Sequence, residues 1–246
     1  MKIQNTAVLI TGASRGLGRA LALALGQRGA RLVLVARDPI PLEKTVAAVR
    51  QAGGTAFGVA ADIGDKQAIH RITGEAAALV GPIDLLINNA SSLGPTPMPL
   101  LIDTECEDFE RVLQVNLLGL FRLTKVLSGS MALRGGGLVL NITSDASVEA
   151  YPRWGAYGVS KAALDHLSRI WAAELKSSSV RFLAVDPGEM NTEMHAAALP
   201  DADPATLADP AEVATRIATL ISMEPDSGQR VAAASFGAGT TVEKSS

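Results

Sequence analysis

The chain has 246 residues, of which 48% are hydrophobic and 19% charged, with a net charge of −3. That balance supplies a full core and excludes a disordered chain. The scattered basic residues exclude the concentrated positive face that nucleic acid requires. Aromatics are only 4%, so the core must come from Ala, Val, Leu and Ile. The single Cys106 excludes an internal disulfide and suits a reducing compartment. The longest uncharged stretch, Leu85 to Ile102, carries Asn88, Asn89 and prolines that hydrocarbon would not tolerate in a helix. The run AVLITGAS is too short for a secretory signal, and Arg15 follows it. A soluble cytoplasmic protein is expected.

Short apolar runs rich in β-formers occur at Thr6–Thr11, Arg31–Ala36, Thr55–Ala60, Asp84–Ile87, Gly137–Ile142, Val180–Val185 and, weakly, Arg230–Ala233. They are apolar on both faces, as strands of a parallel sheet covered by helices must be. Helical periodicity falls between them, at Leu17–Arg28, Pro41–Ala52, Asp65–Val80, Glu105–Leu127, Ala156–Leu175 and Pro210–Ile221. Glycine or proline closes several of these segments, as at Gly53-Gly54 and Gly81-Pro82. Strand and helix alternate over residues 1–246 with no linker or repeat. The expectation is one α/β domain of the doubly wound Rossmann type. Residues 189–209 form a long connection of the kind that makes lids and binding loops. The polar tail Glu243–Ser246 is expected to fray.

After the first strand comes Gly12-Ala13-Ser14-Arg15-Gly16-Leu17-Gly18. Gly12 permits a sharp turn, Gly16 lets backbone approach a pyrophosphate, and Gly18 allows close packing of helix on strand. The N–H groups opening the next helix, from Ser14 to Leu17, then face the phosphates. The spacing departs from G-x-G-x-x-G and lacks a P-loop lysine, so the placement after a strand carries the argument. Charge at the end of the second strand refines it. A carboxylate there accepts from the adenosine ribose of NAD, whereas a cation holds the 2′-phosphate of NADP. Arg37 and Arg15 point to NADP(H). Asp38 leaves open a register in which it binds the ribose.

Tyr157 and Lys161 stand at i, i+4 near the start of a helix, on one face. An ordinary phenol, at about 10, is a poor proton-transfer group at neutral pH. A desolvated ammonium beside it is expected to lower that value. Bringing it to about 7 takes about 4 kcal/mol, beyond the reach of a solvated pair.

Together, TGASRGLG at Thr11–Gly18, Asn88-Asn89-Ala90 after the fourth strand and Tyr157-x3-Lys161 resemble the short-chain dehydrogenase/reductase family. Ser144, thirteen residues before Tyr157, resembles the family's catalytic serine, and Asn116 its helix asparagine. Asp62-Ile63 resembles the adenine-contacting segment, and Pro187-Gly188 the segment facing the nicotinamide. The resemblance implies a seven-stranded parallel sheet and hydride transfer between a nicotinamide and a carbonyl or alcohol. Ser144 would hold the substrate oxygen and Tyr157 would give or take the proton. Lys161 would bond the nicotinamide ribose, and Asn116 would hold a water leading from Lys161. Asn89, Ala90, Met190 and Thr192 complete the expected cofactor contacts. No metal site is expected. Two departures stand out. Ser91 occupies a position that is glycine in the family's NNAG motif, and the stretch Ser235-Phe236-Gly237-Ala238-Gly239 lacks the family's Asp-Gly-Gly.

Substrate contacts are expected from Ser144, Ala146, Tyr151, Trp154, Tyr157, Glu189 and Met194, with Leu93, Glu149, Met190 and His195 also lining the pocket. His195 has no carboxylate at triad or metal spacing and is read as a surface histidine, as are His70 and His166. The expected activity is NADP(H)-dependent interconversion of a ketone or aldehyde with its alcohol, in a homodimer or homotetramer. The rivals are an epimerase or dehydratase on the same fold and a non-catalytic NADP(H)-sensing protein.

Overall fold

The computed structural model describes residues 1–236. The expected frayed tail and the Gly237-Ala238-Gly239 stretch lie outside the described residues. Seven strands form one parallel sheet: β1 (Ala7–Thr11), β2 (Arg31–Ala36), β3 (Thr55–Ala60), β4 (Leu85–Asn88), β5 (Gly137–Ile142), β6 (Val180–Asp186) and β7 (Arg230–Ala232). Their order is β3-β2-β1-β4-β5-β6-β7. The chain therefore leaves β1 in one direction, through β2 and β3, and returns on its other side as β4. That reversal opens a crevice at the carboxyl ends of β1 and β4. Val8 pairs with Leu32 of β2 and with Leu85 of β4, which fixes the register at the centre.

Alternation along each strand serves two cores. Val8 and Ile10 of β1 face the layer built from α1 (Gly16–Gln27), α2 (Pro39–Gln51) and, from the end of the chain, a helix at Pro210–Met223. Ala7 and Leu9 face the opposite layer, with α3 (Ala68–Val80) and later helices. Both residues of each pair are buried, which is why β1 reads as a continuous apolar run.

The structure moves some expected boundaries. The α3 helix begins three residues after Asp65, because Asp62 and Asp65 accept from the N–H groups of Gly64 and Gln67 in successive turns (2.8 Å each). The expected helix Glu105–Leu127 is α4 (Cys106–Leu113), a π-helical turn over Gln114–Gly119, and α5 (Leu120–Leu133). A Cβ on Gly119 would lie 2.2 Å from Ile63 O, so glycine lets the widened turn press against the loop after β3. The helix α6 (Gly155–Glu174) matches its expected span within a residue. Within 189–209 the chain forms a short helix, α7 (Glu193–Ala198), and a bridge from Met190 to Ala208. The helix Pro210–Met223 is α8.

Candidate active site

The loop from β1 to α1 turns at Gly12 (φ +66°) and Gly16 (φ +51°), conformations that favour glycine. A Cβ on Gly18 would stand 2.2 Å from Gly12 O and 2.6 Å from Asn89 Nδ2. Gly18 thus presses α1 onto the strand ends and does not itself line the cleft. No side chain caps the first turn of α1, leaving its N–H groups available to an anion. A cleft of about 220 Å³ opens over this turn. It is lined by Gly12, Ser14, Arg15, Gly16, Leu17, Arg37, Asp62, Ile63, Asn89, Ala90, Tyr157, Lys161, Pro187, Met190 and Thr192. An uncapped helix start, glycines at close approach and a long cleft over the switch point fit a dinucleotide.

The charged groups at its far end differ in availability. Arg15 is paired with Glu193 at 2.7 Å, linking the glycine loop to α7. Arg37 is exposed and has no ion-pair partner among the described residues. Asp38 accepts from Ile40 N (3.0 Å) as the cap of α2. Its carboxylate is engaged by the helix, which weakens the register in which it would bind a ribose.

Tyr157 lines this cleft and also a second cavity of about 270 Å³, and is 9% exposed. Gly158 brings α6 against the turn after β5, since a Cβ there would meet Ala146 O at 2.9 Å. That approach sets the phenol beside Ser144. Lys161, 1% exposed, donates to Ile142 O at 2.8 Å, and its nitrogen lies 5.4 Å from the centre of the Tyr157 ring. Burial lowers the Lys161 pKa to about 8, against the pull of Asp165 and Asp186.

The phenol itself departs from expectation. Burial pushes Tyr157 up to about 12; the Ser144 and Ser91 hydroxyls pull down, while Asp145 and Asp186 push up. In the free protein, desolvation therefore outweighs any acidifying influence of Lys161. Asn116 is bonded within the chain. Its Oδ1 accepts from Ser92 N (2.7 Å), and its Nδ2 donates to Ser92 O and Ser160 Oγ (2.9 Å each). Both amide donors are spent, and the residue lines neither cavity. The side chain clasps the loop after β4 and has no donor left for a water.

The second cavity contains Ser144, Tyr151, Trp154, Tyr157, Glu189, Met194 and Leu93 as expected. Gly188 lies here and not in the dinucleotide cleft. Ala146 is buried beneath the wall, where its N–H bonds Ser144 Oγ (3.2 Å) and Asp145 Oδ1 (2.8 Å). Glu149 does not reach the cavity. Tyr151, Trp154 and Tyr157 form an edge-to-face series with ring centres 6.2 and 5.6 Å apart.

His195 lines the cavity as expected but is not a surface residue: its side chain is 12% exposed and lies 3.8 Å from Glu189. The turn of α7 buries it, which spacing in the sequence does not reveal. The structure also brings in residues the sequence reading missed. Asp145, adjacent to Ser144, accepts from Ser144 Oγ and Tyr151 OH at 2.9 Å each. Burial raises its carboxyl pKa, but these bonds and Ala146 N–H outweigh burial and hold it below the ordinary value. Arg230 ties the floor together, reaching Asp165, Asp186 and Ser144 O at 3.0 Å each. Among the described residues no group of His, Cys, Asp and Glu has a metal-binding arrangement.

The short chain dehydrogenase family model matches residues 6–203. The 7α-hydroxysteroid dehydrogenase of Escherichia coli K12 is 31% identical over 193 residues, which are 78% of this chain and 74% of that one. Versicolorin reductase stcU of Emericella nidulans is 32% identical over 194 residues, 78% and 72% of the two chains. In structure, a 7α-hydroxysteroid dehydrogenase complexed with NADH and 7-oxo glycochenodeoxycholic acid superposes with a TM-score of 0.84 at 27% identity. The match covers 94% of each chain.

Proposed function

The chain belongs to the short chain dehydrogenase family, and from that premise we propose that it interconverts a ketone or aldehyde and the corresponding alcohol using NADP(H). It is an oxidoreductase of that family; the cofactor and substrate are our reading. The observation that carries the reading is Tyr157, whose side chain lines both the dinucleotide cleft and the neighbouring cavity. A nicotinamide bound in the cleft would supply or accept the hydride. Every other step belongs to the chain's own groups. Tyr157 holds the transferable proton at its phenol oxygen and releases it to the substrate oxygen in reduction. Ser144, on a turn pinned by Ala146 N–H and Arg230, orients that oxygen. Lys161 stands beneath the Tyr157 ring, where its charge favours phenolate once the site is closed to water.

The preference for NADP(H) rests on Arg37, a guanidinium at the end of β2 with no ion-pair partner among the described residues, and on the commitment of Asp38 to capping α2. The cavity beyond Tyr157, about 270 Å³ with walls of Leu93, Trp154, Met190, Met194 and Leu199, lies near the lower end of the ligand-pocket range of about 300–1,000 Å³. It suits a compact cyclic or aromatic ketone, a class consistent with the hydroxysteroid dehydrogenase among the relatives. No helix among the described residues is long and apolar enough to cross a membrane. With one exposed free cysteine, a cytoplasmic setting is our reading. Leu118, Val159 and Ile170 are exposed along the π turn and α6, and these helices are the proposed homo-oligomer surface; sedimentation as a monomer at micromolar concentration would reject it. NADPH oxidation measured against cyclic, aromatic and aliphatic carbonyls tests the activity. The cyclic and aromatic compounds should be turned over, and no oxidation with any carbonyl would reject the proposal.

A further inference from the structure

The segment after β4 is fastened on both sides of one residue. On the sheet side, Thr11 Oγ1 accepts from Asn89 N and Ala90 N (3.0 Å each). Asn89 Nδ2 in turn donates to Thr11 O and Gly12 O (3.0 and 3.1 Å). On the helix side, the Asn116 amide holds both the N–H and the carbonyl of Ser92. Ser91 stands between these clamps on the wall of the dinucleotide cleft, with Tyr157 and Lys161. Its Oγ is buried and makes no hydrogen bond with any described residue. A buried hydroxyl without a partner is uncommon and calls for an explanation. Its backbone is not in the left-handed region, so nothing in the chain's course demands the glycine of the family's motif. The serine adds a hydroxymethyl group on the wall of that cleft.

We infer that the Ser91 hydroxyl is a second hydrogen-bond donor to the Tyr157 phenol oxygen, stabilising the phenolate while the proton is on the substrate. The inference rests on Tyr157 as the acid/base group. It follows from counting donors. A phenolate has no proton of its own and accepts several bonds. Ser144 has one proton, which Asp145 holds at 2.9 Å in the free protein and the substrate oxygen claims in the proposed reaction. Lys161 gives one of its three protons to Ile142 O, and its nitrogen lies 5.4 Å from the centre of the phenol ring. The Ser91 hydroxyl has no acceptor among the described residues. Burial raises the Tyr157 pKa, and a hydroxyl beside the phenol acts in the opposite direction. In reduction the phenol O–H bond breaks and its proton passes to the substrate oxygen. Ser91 keeps its own proton throughout and supplies a bond, so it is a positioning group for charge on Tyr157.

The chain has two tyrosines, so a Tyr151→Phe background leaves Tyr157 as the only phenol. Its ionisation is then read from tyrosinate absorbance in the complex with NADP+. Ser91→Ala should raise the midpoint by about one pH unit, the scale of a bond to a charged group. Ser91→Gly should do the same, and Ser91→Thr, which keeps the hydroxyl, should restore it. The pH profile of kcat/KM for ketone reduction should move in the same direction. An unchanged midpoint in both Ala and Gly variants overturns the inference and leaves the proposed activity standing. A raised midpoint in a protein whose turnover survives Tyr157→Phe upholds the Ser91 contact and overturns the activity assignment instead.

Discussion

Lys161 Nζ lies 5.4 Å from the centre of the Tyr157 ring and spends its short hydrogen bond on Ile142 O, not on the phenol. Both groups are buried, and desolvation shifts each toward its neutral form: the lysine down to about 8, the tyrosine up to about 12. A free protein in that state is poised and not yet activated. In the proposed reaction, the positive charge of an oxidised nicotinamide is what would tip the pair toward phenolate.

Replacing Tyr157 by Phe removes the transferable proton and leaves the ring's packing against Trp154. Turnover should fall by at least the factor of about 10²–10⁴ typical of a lost general acid. NADPH binding, followed by fluorescence, should persist. Retained turnover would remove Tyr157 from its role.

The two arginines of the cleft should not be equivalent. Arg37 has no ion-pair partner among the described residues, so Arg37→Asp should shift the ratio of kcat/KM from NADPH toward NADH by about tenfold or more, a loss of at least about 1.4 kcal/mol of phosphate recognition. Arg15 must first leave Glu193, so Arg15→Ala should have the smaller effect. An unchanged ratio in Arg37→Asp would make that residue a solvated charge.

Lys161 should cost stability. Unfolded, it titrates near 10.5 and folded near 8, so between those values the unfolded chain binds a proton the folded one does not. Its contribution therefore makes stability rise with pH through that window, and the full burial cost, about 3 kcal/mol, remains below pH 8. Lys161→Met should raise stability at pH 7 by about 1–2 kcal/mol, the lost bond to Ile142 O offsetting part of the gain. It should also abolish turnover. Urea denaturation at pH 7 and pH 10 measures both the gain and its disappearance.

Two glycines predict opposite signs. A Cβ at Gly18 meets Gly12 O at 2.2 Å, whereas one at Gly74, inside α3, meets nothing within 4 Å. Gly18→Ala should destabilise by several kcal/mol and remove dinucleotide binding, by displacing the loop from α1. Gly74→Ala should stabilise by about 0.5–1 kcal/mol through helix propensity. Thermal melts with and without NADPH separate the two effects.

The strands were legible in the sequence because a parallel sheet covered on both sides leaves largely apolar runs such as DLLI and VRFLAV. The glycine loop and the Tyr157–Lys161 pair were legible for a similar reason: a tight turn and a shared helix face are local geometry, fixed by residues a few positions apart. The π turn was not, since Asn116 and Gly119 are shaped by Ser92, Ser160 and Ile63, all distant in the chain.

By itself the sequence determined the order of strands and helices along the chain, the glycine turn at which a dinucleotide fits, and most of the residues that stand around it. Those follow from periodicity and backbone freedom, which act over short spans. Tertiary structure alone decided the state of the groups in the cleft. It buried His195, engaged Arg15 and Asp38, spent both amide donors of Asn116 and left the Ser91 hydroxyl without a partner among the described residues. Desolvation and hydrogen-bond pairing depend on which surfaces meet, and no spacing along one chain encodes that directly.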